Sequence, residues 1–243
     1  TGTNGKTTVT TLLYELFRSL GYRAGLISTV VNKVDGAEEP ARLTTPDPKA
    51  LQALLARMRE AGCTHCFMEV SSHAVALRRI AGIRFAGGIF TNITHDHLDF
   101  HGTFANYLRA KQQFFDGLPA TAFALTNIDD RNGRVMVQNT RARVRTYSLQ
   151  SPADYHTRLL ENQLEGLHLD MGGAQVWFRL VGAFNAANLT ALCAAAQELG
   201  QDKERVLLHA SQLEGVAGRF QAFRFANNIT GIVDYAHTPD ALR

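Results

Sequence analysis

The chain opens Thr1-Gly2-Thr3-Asn4-Gly5-Lys6-Thr7-Thr8, and behind it Val9, Leu12, Leu13, Leu16, Phe17 and Leu20 recur at helical spacing before Gly21. That pattern predicts a glycine-rich loop emptying into an amphipathic helix with a glycine stop. Free backbone N–H groups and the positive end of a helix dipole then meet in one place, which suits polyphosphate. Gly2 and Gly5 let the main chain approach phosphate oxygens, with Thr3 and Asn4 between them. Lys6 offers a point charge to the β and γ phosphates, the Thr7 hydroxyl offers a magnesium ligand, and Thr8 carries the loop into the helix. The plain alternative is a turn that only caps a helix. A strand is expected to launch such a loop and none precedes Thr1 in these 243 residues, so the chain is read as a fragment.

Working outward, strand-like runs at 24–29, 67–70, 88–91 and 122–127 alternate with helical patterns at 49–61 and 103–116. Strand and helix taking turns predict an α/β fold, P-loop NTPase-like, with a mostly parallel sheet flanked by helices and functional loops at the strand C-terminal ends. A polar, turn-rich stretch surrounds Asp35-Gly36. Between about 144 and 181 the helical period gives way to alternation at Leu167, Leu169, Val176, Phe178 and Leu180, which predicts a small antiparallel β region. A helix is expected over 185–199, a new pair of strands near Ala222 and at 229–234, and the start of another helix at the end.

Composition narrows the function classes. The 25 basic and 22 acidic residues are spread along the chain for a net charge of +3, without the basic run that tracks a nucleic-acid backbone, so nucleic acid is not an expected partner. No apolar run approaches the roughly 20 residues of a membrane span, and there is no secretory leader, so a cytoplasmic protein without a membrane partner is expected. Three cysteines, Cys63, Cys66 and Cys193, cannot all pair within one chain. Cys63 and Cys66 form a C-x-x-C without a second ligand pair, and are read as two packed thiols.

Two loops after strands gather ligating side chains. Met68-Glu69-Val70-Ser71-Ser72-His73 puts Glu69 near the sheet edge of the phosphate loop, where a carboxylate can hold magnesium or simply cap a helix. His95-Asp96-His97-Leu98-Asp99-Phe100-His101 is the densest group of possible metal ligands. It reads either as His97 beside a nucleotide-bound magnesium or as a zinc hydrolase, although Phe100 breaks the H-x-H-x-D-H pattern of that second class by one residue. Capping of a loop and the helix behind it is the third reading.

Together with Thr44-Thr45-Pro46-Asp47, Tyr107 to Lys111, Asn185-Ala186-Ala187-Asn188, Gly218-Arg219-Phe220 and Asp234-Tyr235-Ala236-His237-Thr238-Pro239-Asp240, these motifs resemble the Mur ligases in order and spacing over essentially the whole chain. The resemblance implies ATP as cofactor, bound by Gly2, Thr3, Asn4, Gly5, Lys6, Thr7 and Thr8, by the adenine-reading pair Asn185 and Asn188, and by Arg219 and Asp234 from a domain junction. It implies two Mg2+ ions held by Thr7, Glu69, His97 and a carbamylated Lys111, with Lys6, Lys111 and His97 catalytic. Carbon dioxide adding to a neutral Lys111 amine makes an anionic oxygen ligand, which hard magnesium prefers; an ordinary salt-bridged lysine is the alternative.

Thr44, Thr45, Ser71 and Arg79 match positions that contact the UDP-muramoyl peptide, while Leu43 and Leu77 stand where some relatives have polar contacts. The implied reaction adds a third amino acid, meso-diaminopimelate or L-lysine, to UDP-MurNAc-dipeptide through an acyl phosphate, in a monomer. Residues 1–220 would be the central ATP-binding domain without its first strand, and 221–243 the start of a C-terminal domain. A Mur-type ligase adding D-Ala-D-Ala, a zinc-dependent hydrolase and a nucleotide-binding scaffold without catalysis are the alternatives.

Overall fold

The loop at residues 1–5 does run into a helix, α1 (Lys6–Ser19), whose Leu12, Leu16 and Phe17 are completely or almost completely buried. A computed structural model describes residues 1–225 and 229–236. The elements that follow are β1 (Ala24–Ile27), β2 (Val31–Val34), β3 (Ala37–Pro40), α2 (Pro48–Glu60), β4 (His65–Met68), α3 (Ser72–Ala76), β5 (Gly87–Phe90), α4 (Leu98–His101), α5 (Phe104–Asp116), β6 (Phe123–Asn127), α6 (Gly133–Met136) and β7 (Arg143–Ser148). Then come β8 (Tyr155–Gln163), β9 (Gly166–Met171), β10 (Ala174–Phe178), α7 (Phe184–Glu198), α8 (Lys203–Ala210), β11 (Gln221–Arg224) and β12 (Thr230–Val233).

The strands form a sheet of order β3-β2-β1-β4, a sheet of order β10-β9-β8-β7-β6-β5 and the ribbon β11-β12. β1 and β4 run parallel, as do β5, β6, β7 and β8, while β8 to β10 form the antiparallel extension. The α/β expectation therefore holds, with two corrections. Residues 143–148 are a parallel strand beside β6 rather than part of the antiparallel region, because α7 covers them and Tyr147 is buried in the core. The turn at Asp35-Gly36 joins a hairpin, β2–β3, whose Val-Asn-Lys-Val and Ala-Glu-Glu-Pro lack an alternating apolar face and so carry no strand signal.

Apolar packing lies on both faces. α1, α7 and α8 share one core with Leu26, Phe67, Leu125 and Tyr147; α5 and α6 pack on the other face around Phe90, Tyr107 and Phe115; and α2 covers Ile27. α7 is apolar all round its circumference, which suits a helix buried between α1 and the sheet. No helix of the described residues is long and apolar enough to cross a membrane.

β4 and β5 do not pair with each other. Between them runs a cleft with a cavity of 140 Å³, lined by Cys66, Phe67 and Met68 on one side and Gly87, Gly88 and Ile89 on the other. Thr1 stands at its mouth: its amine donates to Ile89 O at 2.7 Å and its carbonyl accepts from Thr91 N at 3.1 Å, the bonding pattern of a parallel ladder with β5. Cys66 is consequently exposed rather than packed, correcting the reading of two packed thiols; Cys63 is half-buried and Cys193 buried. The expected terminal helix, with His237, Thr238, Pro239 and Asp240, lies outside the described residues.

Candidate active site

Gly5 is the N-cap of α1 with φ 81° and ψ −8°, and no side chain caps the helix, so the N–H groups of its first turn point into the loop. Only glycine fits here: a Cβ on Gly5 would lie 2.5 Å from Asn188 Oδ1, and one on Gly2 would lie 1.9 Å from Thr91 Oγ1. The loop is latched to the exit of β5. Thr3 N and Asn4 N donate to Asn92 O and Asn92 Oδ1, both at 2.8 Å, and Thr91 Oγ1 donates to Asn4 O at 2.6 Å. The Thr3 hydroxyl lies 3.0 Å from the buried Tyr107 OH and accepts from Thr94 N at 3.0 Å.

Two lysines meet on one carbonyl. Lys6 Nζ donates to Gly2 O at 3.0 Å and to Thr3 O at 2.8 Å, while Lys111 Nζ, from α5, donates to the same Gly2 O at 2.9 Å. Lys111 is 1% exposed, and its ammonium sits 4.7 Å from the Tyr107 ring centroid. Burial, reinforced by the Lys6 charge, pushes the Lys111 amine well below the usual lysine range. Burial also lowers Lys6, although Glu69 and Asp96 pull it back up. Charging both buried amines at once is costly unless an anion lies beside them, so the pair suits a site that receives phosphate.

Glu69, 1% exposed just past β4, accepts from Thr29 N at 2.7 Å and Thr29 Oγ1 at 3.1 Å, and its charge is felt by Lys6. His97 sits at the N-cap of α4 in the left-handed region, φ 52°, with Nε2 3.4 Å from Asp96 Oδ2. Burial lowers its pKa against the pull of Asp96, and the charges of His73, Lys6 and Lys111 lower it further. A neutral imidazole keeps the lone pair a ligand needs. Thr7, Glu69, His97 and Lys111 offer a hydroxyl, a carboxylate, an imidazole and a buried amine; the two oxygen donors suit a hard cation such as Mg2+, and the lowered Lys111 pKa suits carbamylation.

The zinc alternative finds no support in the geometry. Among the described residues no three His, Cys, Asp or Glu side chains converge on a metal position. His95 packs on Phe104, His97 faces His73, and His101 Nε2 lies 3.0 Å from Ser72 Oγ.

Around this centre the remaining candidates fall into two groups. Thr44 Oγ1 lies 3.2 Å from Thr29 Oγ1. The fully buried Thr45 donates to Glu69 O at 2.7 Å, its carbonyl accepts from Arg79 at 3.0 Å, and Ser71 caps α3 through Ala74 N. Thr45 and Ser71 therefore brace the Glu69 loop as well as lining its flank. On the other side Asn185 and Asn188 are buried, joined by Asn188 Nδ2 to Asn185 Oδ1 at 2.9 Å. Neither caps α7, whose N-cap is Ala183; Asn185 instead donates to Val181 O at 2.7 Å. Arg219 reaches Thr7 Oγ1 at 3.1 Å and stacks 4.8 Å from the Tyr235 ring. Asp234 stands one step back, accepting from Phe220 N at 2.6 Å and so holding the turn that carries Arg219. Asn92 and Thr29, which latch the loop and Glu69, carry no sequence signal beyond being polar residues straight after strands.

Comparison with known proteins places the whole chain. The description "Mur ligase middle domain" matches residues 1–196. A protein of Cytophaga hutchinsonii named UDP-N-acetylmuramoyl-L-alanyl-D-glutamate–2,6-diaminopimelate ligase is 59% identical over 243 residues, covering all of this chain and 50% of that protein. A solved structure of a ligase of that name superposes with a TM-score of 0.82 at 32% identity, covering 99% of this chain and 50% of the other. A MurF ligase from Thermotoga maritima, solved in complex with ADP, shares the fold at a TM-score of 0.74 and 18% identity, covering 99% and 53%. The chain spans about half the length of the curated relatives it matches. Matched over residues 1–196 by the family model and along its whole length by these relatives, the chain belongs to the Mur ligase family and carries that family's middle domain.

Proposed function

We propose that this chain is the ATP- and Mg2+-binding core of a ligase that adds diaminopimelate or lysine to UDP-MurNAc-L-Ala-D-Glu in peptidoglycan precursor synthesis. One observation carries the reading: Lys6 Nζ and Lys111 Nζ, 105 positions apart in sequence, share Gly2 O at 3.0 and 2.9 Å. In the reaction a carboxylate oxygen of the dipeptide attacks the γ-phosphorus of ATP, the bond to the leaving ADP oxygen breaks, and an acyl phosphate forms. The amine of the incoming amino acid then attacks the acyl carbon, the C–N bond forms, phosphate departs and the amine proton passes to solvent.

Lys6 and the open N–H groups of α1 exchange their loop contacts for phosphate oxygens, so two anions can meet in line. Thr7, Glu69, His97 and carbamylated Lys111 would hold Mg2+, which supplies further charge neutralisation when bound. Asn185 and Asn188 face the base side, Arg219 guards the far phosphate, and Thr44, Thr45, Ser71 and Arg79 line the dipeptide side.

The domain reading belongs to the same proposal. Residues 1–220 are the central domain, a preceding apolar strand fills the cleft between β4 and β5, and the ribbon β11–β12 opens the next domain. The whole protein works as a cytoplasmic monomer, and residues 1–243 alone turn over little or not at all. The test is Glu69→Gln in the full-length protein, following phosphate release that needs ATP, dipeptide and amino acid together. The variant loses most of that turnover while its unfolding temperature stays near that of the parent; undiminished turnover refutes the assignment of Glu69 and the reading built on it.

A further inference from the structure

The end of β6 and the segment after it carry three polar side chains that reach sideways to the exits of both neighbouring strands. Asn127 Nδ2 donates to Thr91 O at 2.8 Å on the β5 side. Asp129 turns the other way, taking the Ser148 hydroxyl and Leu149 N, the latter at 2.7 Å, at the end of β7. Asp130 returns to the β5 side: Oδ2 accepts from Ile93 N at 2.7 Å while Oδ1 accepts from Asn132 N at 2.8 Å. A carboxylate can serve both N–H donors at once, whereas an amide has one acceptor oxygen and turns a donor toward the other N–H.

Ile93 begins the segment that ends at His97. Its next residue is gripped from the opposite side, since Thr94 N donates to Thr3 Oγ1 at 3.0 Å, and Thr3 in turn meets Tyr107 OH. The Ile93 side chain is buried in the same core as Tyr107 and Val70. Asp130 thus fixes the origin of a five-residue arm whose second residue, Thr94, is tied to the phosphate loop. Without it, Ile93 N–H loses a charged acceptor, and the arm can shift relative to Lys6 and Lys111.

We propose that Asp130 is a positioning residue for the nucleotide and metal site: it acts through the Ile93–His97 arm and sets where the His97 imidazole stands against the phosphate loop. The inference rests on the ligase reading above. Asp129 supplies the matched control, because it makes the same kind of carboxylate-to-backbone bond on the side away from the site.

The experiment compares Asp130→Ala, Asp130→Asn and Asp129→Ala in the full-length protein. It measures calorimetric binding of ADP with and without Mg2+, the Mg2+ dependence of ligation, and thermal unfolding. Asp130→Ala is expected to weaken Mg2+-dependent ADP binding and turnover by about 10- to 100-fold, the usual effect of removing a group that orients a metal ligand. Metal-free ADP binding changes little, and Asp130→Asn falls between. Asp129→Ala lowers the unfolding temperature without moving the Mg2+ response. If Asp130→Ala behaves as Asp129→Ala does, the positioning role is overturned and the ligase reading stands. If the parent protein shows no Mg2+- and ATP-dependent ligation, the ligase reading fails first.

Discussion

Replacing Gly5 by alanine tests how tightly the phosphate loop is built against α7. Gly5 has φ 81°, and left-handed backbone costs an L-residue about 1–2 kcal/mol. The new Cβ would also stand 2.5 Å from Asn188 Oδ1, nearly an ångström inside ordinary contact. Asn188 must swing away, giving up its 2.9 Å bond to Asn185 in a buried setting, a loss of about 0.5–1.5 kcal/mol. The sum is about 1.5–3.5 kcal/mol, which for a chain of this size lowers the unfolding temperature by roughly 3–14 °C.

The two components separate in a double-mutant cycle. In an Asn188→Ala background the obstacle is gone, so Gly5→Ala should cost only the backbone component, about 1–2 kcal/mol, and the coupling energy should be about 1 kcal/mol. Urea unfolding of the four proteins, followed by circular dichroism, measures it. An equal cost in both backgrounds refutes the steric argument, and a cost below about 0.5 kcal/mol in either refutes the left-handed requirement.

Two further outcomes follow from the buried lysine and the cleft. Lys111→Met, in bicarbonate-free buffer, should raise the unfolding temperature at pH 7, since Lys6 still serves Gly2 O and a desolvated amine is removed. The folded-state pKa of Lys111 is depressed, so the unfolded chain binds the extra proton and wild-type stability climbs from that depressed pKa toward the ordinary 10.5; the advantage of methionine must therefore shrink as pH rises to 10.5. A gain that grows with pH contradicts the burial argument. Cys66, which faces the cleft, should be alkylated faster than the buried Cys193 in the Thr1–Arg243 chain, slowly in absolute rate because surrounding protein pushes its thiol up to about 12. Extending the chain ahead of Thr1 should protect Cys66, as peptide mass spectrometry can read; unchanged labelling removes the strand from the cleft.

Particular residues show where reading the sequence succeeds and where it stops. Lys6 and Thr7 are legible because loop and helix are contiguous, so local geometry alone brings amides, ammonium and hydroxyl together. Glu69 is legible because strand exits in an alternating α/β chain share one edge. The hairpin β2–β3 is not legible, since its pairing is backbone to backbone and half its side chains face water. The role of Asp129 and Asp130 is hidden too: adjacent aspartates after a strand look like an ordinary polar turn until the strand order puts β5 on one side and β7 on the other.

What the sequence determined by itself is the four longest helices, α1, α2, α5 and α7, most of the strands, the phosphate loop and the chemical types gathered for polyphosphate and a hard cation, because these follow from periodicity and nearest-neighbour geometry. Only the tertiary structure decided that Lys111 lies under Gly2, that Asn188 backs Gly5, and that His97 and His101 gather on His73 while His95 packs on Phe104. Those relations join residues 9 to 183 positions apart in the chain, and packing of the sheet against its helices sets them rather than spacing in sequence.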